Sequence, residues 1–63
     1  MVKLELLSIE QLEDYLKKCL FIIDNSEDIA KIKQYREYID AIRYELFKRG
    51  LTIDQTLAIR YEG

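Results

Sequence analysis

Ser8-Ile9-Glu10-Gln11-Leu12-Glu13-Asp14-Tyr15-Leu16-Lys17-Lys18-Cys19-Leu20-Phe21-Ile22-Ile23 carries the strongest structural signal in the chain. Ile9, Leu12, Leu16, Leu20 and Ile23 recur at helical spacing and predict a first helix over residues 9–23. Its start is well marked. Ser8 is a capping residue and Gln11 stands where a capping box needs it, while Leu7 and Leu12 are placed to form a hydrophobic staple. Glu10, Glu13 and Asp14 fall near the positive end of the helix dipole. Glu13–Lys17 and Asp14–Lys18 are i, i+4 pairs in the favourable order.

One seam is enough for a helix packed in a small hairpin. Yet Tyr15, Cys19 and Ile22 recur at i, i+4 and i+7 on an adjoining face, and Phe21 lies further round still. A helix that is apolar on more than one side must be covered on more than one side. Sixty-three residues leave little chain to do the covering. The sequence therefore predicts a second chain against this helix, most simply another copy, so that two hairpins pair into a dimeric four-helix-like bundle.

Outward from this stretch, Asp24-Asn25-Ser26 is turn chemistry. Ser26 or Asp24 can cap a second helix over residues 27–49, with Glu27 and Asp28 in its first turn and Gly50 just past its end. The seam of that helix is Ile32, Tyr35, Ile39, Ile42 and Leu46, flanked by Ile29, Phe47, Arg36 and Arg43. At 1.5 Å per residue the helices are roughly 22 and 34 Å long. A short turn forces them antiparallel, and the second overhangs the first by about two turns near Ile42 to Phe47. The overhang needs a cover. Leu4 and Leu6 in a lead-in over residues 1–8 are one candidate, and the tail after Gly50 is the other. In the lead-in Val2, Leu4 and Leu6 alternate with charges, a pattern for either a short strand or an extended segment lying on the helices. In the tail Thr52 can cap a short third helix over residues 53–60 with Ile53, Leu57 and Tyr61 on one face; an extended strand is the competing reading.

Composition bounds the function. A domain of about 60 residues is marginally stable and commonly relies on a staple or on oligomerisation. Cys19 is the single cysteine and there is no histidine, which excludes an internal disulfide, a conventional zinc site and a Ser–His or Cys–His nucleophile. The acidic groups sit in first turns, where the dipole accounts for them, and no phosphate-binding glycine loop is present. The expectation is a non-enzyme without cofactor or metal. Apolar content of 49% and charged content of 35% describe a folded domain, and a net charge of −2 argues against nucleic acid as partner. No apolar run approaches the ~18 residues of a membrane span and no signal peptide is visible, so the chain reads as cytoplasmic and reduced. Abundant Lys, Ile, Tyr, Glu and Asp fit an AT-rich bacterial or phage genome.

Phe47-Lys48-Arg49-Gly50-Leu51-Thr52-Ile53-Asp54-Gln55-Thr56-Leu57-Ala58 resembles the opening of a helix-turn-helix of the phage-repressor type. The resemblance implies DNA binding, but a recognition helix should follow where the sequence stops at Gly63. In outline the hairpin is similar to small sporulation-control proteins, kinase-inhibiting hairpins and two-helix phosphatases; the phosphatases carry a Ser-Gln-Glu-Leu-Asp run, which the nearest stretch here, Arg36-Glu37-Tyr38-Ile39-Asp40, does not match beyond the Ile-Asp pair. The remaining feature is aromatic. Tyr38 and Tyr44 lie about 100° and 140° from Ile39 on the helix, towards its polar side. With Tyr15, Cys19, Phe21 and Ile22 they form the expected protein interface. The reading is a small protein-binding regulator, adaptor or inhibitor; a self-assembling structural unit and a DNA-associated accessory protein are the alternatives. For Cys19 itself, burial as a small hydrophobe competes with any exposed role.

Overall fold

A computed structural model describes residues 3–61. Among these the chain forms α1 (Ile9–Asn25), α2 (Ile29–Lys48) and a short α3 (Ile53–Leu57), preceded by a single 3₁₀ turn at Leu4–Leu6, with no strand. The all-α hairpin with a short third helix is therefore as expected. Val2, the first member of the alternating pattern, lies outside the described residues.

Local chemistry sets the boundaries. At α1 the Gln11 N–H donates to Ser8 Oγ at 3.1 Å and the Ser8 N–H donates to Gln11 Oε1 at 2.8 Å, closing the capping box. The helix runs past Ile23 to Asn25, whose Nδ2 donates to the Phe21 carbonyl at 2.8 Å and supplies a partner for a carbonyl in the last turn. The cap of α2 is Asp28, so the helix starts at Ile29, later than expected from Ser26 or Asp24. Asp28 Oδ1 accepts from the Ala30 and Lys31 N–H groups at 3.0 and 3.4 Å. Ser26 instead holds the turn, its Oγ accepting from the Asp28 N–H at 3.2 Å. α2 ends in a Schellman motif: the Leu51 N–H donates to the Leu46 carbonyl at 3.1 Å and the Gly50 N–H to the Phe47 carbonyl at 3.0 Å. Gly50 adopts φ +99°, although a side chain there would meet nothing within 4 Å. The glycine is required by the backbone, not by space.

The core joins Leu12, Leu16 and Cys19 of α1 to Ile39, Ile42 and Leu46 of α2 and to Ile59 of the tail. Full burial of each large aliphatic here is worth about 1.5–3 kcal/mol. The seam of α2 is as read from Tyr35 to Leu46, with Ile32 outside the core, but that of α1 is rotated. Cys19 takes a central place, Leu20 and Ile23 are half-buried, and Ile9 is exposed. The reason is geometric. The series Leu12, Leu16, Cys19, Ile23 advances by 4, 3 and 4, which holds a stripe nearly parallel to a partner helix, whereas a run of fours drifts by about 40° per step.

The chain ends cover the overhang of α2 in different ways. On the C-terminal side α3 is shorter than the expected 53–60, and its inward face differs. Ile53 and Leu57 are exposed, while Thr56 and Ile59 are buried. Thr56 can be buried because its hydroxyl donates to the Ile53 carbonyl at 2.9 Å. The helix stops at Leu57, and Ile59 then enters the core from non-helical backbone. On the N-terminal side the lead-in is a 3₁₀ turn instead of an extended segment. Leu4 and Leu7 pack on the core, but Leu6 is 77% exposed. What fastens this turn is Arg49. Its Nη2 donates to the carbonyls of Leu4 and Glu5 at 3.1 Å each, Nη1 donates to the Leu7 carbonyl, and Nε donates to Glu45 Oε1 at 3.2 Å. Glu45 also receives Lys48 at 3.4 Å. One guanidinium thus ties the last turn of α2 to three backbone carbonyls near the chain start.

Candidate protein-binding surface

The expected interface residues do not form one patch. Cys19 is fully buried, and burial pushes its thiol from an ordinary 9.0 up to about 11. It has no surface to offer a partner and leaves the candidate interface. The reading of Cys19 as a small buried hydrophobe is the one that fits.

Tyr15 and Tyr38 come together. Tyr15 on α1 and Tyr35 and Tyr38 on α2 all pack against the core, within electrostatic reach of one another, and all three are half-buried. Tyr35 and Tyr38 meet edge-to-face at 5.4 Å and 89°. The Tyr38 hydroxyl also accepts from Gln34 Nε2 at 3.0 Å. Burial, and then the neighbouring Cys19, Tyr38 and Tyr35, raise the Tyr15 pKa above the usual phenol value. Tyr38 therefore packs against the core edge, not on the polar side of α2, because Tyr15 and Tyr35 extend the hydrophobic surface out to meet it.

Phe21 and Ile22 belong to another surface. Phe21 is 51% exposed and meets Tyr61 edge-to-face at 5.4 Å and 85°. Tyr61 reaches this position because its hydroxyl donates to the Asp24 carboxylate, which pins the tail across α1. That hydrogen bond, ahead of any burial, raises the Tyr61 pKa. Phe21, Ile22 and Tyr61 with the stems of Lys17 and Lys18 line an open hollow of about 350 Å³. The expected Glu13–Lys17 and Asp14–Lys18 ion pairs do not form; among the described residues the ion pairs are those of Glu45 with Lys48 and Arg49. Both lysines are thus left to fringe the hollow.

Tyr44 is 65% exposed on α2 with Lys48 Nζ 5.7 Å from its ring centroid, apart from both aromatic groups. Sequence reasoning missed Tyr61, which it assigned to the inward face of the third helix. The signal was present in the aromatic itself, but its position depends on where α3 ends. Among the described residues no group of three or more His, Cys, Asp or Glu side chains converges, and no helix is long and apolar enough to cross a membrane. The segment resembling a helix-turn-helix supplies α3, and the residues after Leu57 turn into the core. Comparison finds no protein-family model, no curated protein and no solved structure that matches the chain.

Proposed function

We propose that this chain is a small cytoplasmic protein-binding module, a regulator, adaptor or inhibitor that covers a site on a larger partner. The observation that carries the reading is the Phe21–Tyr61 pair beside Ile22. It is an exposed aromatic edge held in fixed geometry, with an apolar hollow around it and two lysines that form no ion pair among the described residues. Aromatic anchors in apolar surroundings with a polar rim are the usual energetic centre of a protein interface. A fixed ring loses little entropy on binding, which favours a preformed anchor over a flexible one. The composition supports a binding role over catalysis, and a phage or mobile-element origin fits its bias.

The test is affinity capture from host extract with the native chain and with Phe21→Glu, helicity being checked by circular dichroism. A partner retained by the native chain and lost with the variant supports the reading. A partner retained equally by both moves the interface elsewhere. The second reading is self-pairing into a dimeric bundle, and the half-buried Tyr15–Tyr35–Tyr38 cluster favours it. Light scattering across a dilution series, with Tyr15→Glu as the disrupting variant, distinguishes the two.

A further inference from the structure

We infer that the trough between α1, α2 and the tail is a second docking surface, whose occupant is an acidic, leucine- or isoleucine-bearing segment of a partner polypeptide. Two grooves of about 520 and 430 Å³ adjoin there and share Leu20 and Arg43. Their apolar lining comes from Leu20, Ile23, Ile39, Leu57 and Ile59. Arg36, Arg43 and Arg60 line the same trough. None of these arginines forms an ion pair or side-chain hydrogen bond among the described residues.

Arg43 is the centre of the argument. Its Nε is buried and has no acceptor. That atom is closed off by the fold, so a carboxylate docked in the trough pairs with the remaining guanidinium nitrogens of Arg43, which lines both grooves. Arg36 and Arg43 are two helical turns apart, about 10.5 Å along the axis of α2. A helical partner meets both with carboxylates at i and i+7, and a polyproline-II segment with carboxylates at i and i+3, about 9.3 Å apart on one face.

Charge and shape together select a peptide over a phosphate polymer. Asp24 and Asp40 also line the trough and the chain carries a net −2, so a dense polyanion is repelled. Spaced carboxylates can sit at the arginines while apolar side chains between them reach the aliphatic floor. Arg is suited to this work because its planar fork matches a carboxylate.

The experiment is selection of a random peptide display library on the immobilised chain, followed by fluorescence-anisotropy titration of the enriched peptides. The expected result is peptides that interleave Asp or Glu with Leu, Ile or Phe. Arg36→Gln and Arg43→Gln should each weaken their binding about tenfold or more, while Ile22→Ser, at a residue that lines the aromatic hollow but not the trough, leaves it unchanged. Arg36 is exposed, so its variant keeps the test valid if Arg43→Gln proves unstable. Peptides without acidic residues, affinity insensitive to both arginines, or displacement by millimolar inorganic phosphate would each overturn the proposal. Loss of binding with Ile22→Ser alone would overturn it too, since the peptides would then occupy the aromatic hollow of the proposed function. A mass that doubles with concentration and reverts in Arg43→Gln would assign the trough to a second copy and overturn it as well.

Discussion

The two ends of this chain cover the same overhanging stretch of α2 and are held by opposite kinds of chemistry. The tail is plugged in. Ile59 enters the core, Thr56 is buried with its hydroxyl satisfied, and Tyr61 pins the segment to α1. The lead-in is clasped. Little of its side-chain surface is hidden, yet three of its carbonyls accept from Arg49. Apolar residues are not scarce, but Leu6 faces outward and only Leu4 and Leu7 of the lead-in reach the core, so the two ends are not buried equally. A charged fork that reaches several backbone acceptors substitutes for the missing hydrophobic contact at one of them.

The contrast can be broken most severely at the plug. Ile59→Ala should cost about 2–4 kcal/mol, the usual range for an aliphatic truncated in a core. In a domain of this size that lowers the melting temperature by more than ~10 °C in a thermal scan. Next comes the clasp. Arg49→Met should cost about 1.5–3 kcal/mol in urea denaturation and speed hydrogen exchange at the Leu6 and Leu7 amides of the 3₁₀ turn. Arg49→Lys should recover little of this, because a point charge cannot reproduce the fork. If Arg49→Met leaves the melting curve unmoved, the clasp is ornament and the lead-in is held by Leu4 and Leu7.

Alkali sharpens the comparison further. The Cys19 thiol is neutral in the fold with a pKa of about 11 against an ordinary 9.0. A folded pKa above the unfolded one means that stability is complete below pH 9.0 and declines as pH rises through about 11. Near pH ~10 the loss is about 1 kcal/mol, and Cys19→Ala should remove this dependence. The phenol of Tyr61 is also raised, so its hydrogen bond to Asp24 persists until alkali ionises it, whereas the guanidinium clasp does not titrate in that range. Protection of the Ala58 and Ile59 amides, relative to their intrinsic exchange, should therefore fall in alkali before that of Leu6 and Leu7 does. The smallest effect belongs to Tyr61→Phe. It removes one exposed hydrogen bond, and the change should be confined to protection of the tail.

Features governed by nearest neighbours were legible in the sequence. The Ser8–Gln11 box, the Thr52 cap, the Gly50 terminus and the seam of α2 are each written within a few residues. What could not be read depends on contacts between distant parts of the chain. Whether Leu20 or Cys19 faces the hairpin partner depends on the crossing of two helices. Whether Ile53 or Thr56 turns inward depends on Ile59 claiming a place in the core. Nothing near Arg49 in the sequence marks it as a clasp, because its acceptors lie 42 to 45 positions away. The candidate surface divides in the same way: exposure of Phe21 followed from the helical wheel, but Tyr61 beside it followed only from the path of the tail.

The clasp at Arg49 grips main-chain oxygens and ignores the identity of the side chains that it holds. Positions 5 and 6, whose side chains face outward, should therefore accept very different amino acids without loss of anchorage. Such a terminus can be decorated, labelled or altered by drift while its trajectory over the bundle stays the same.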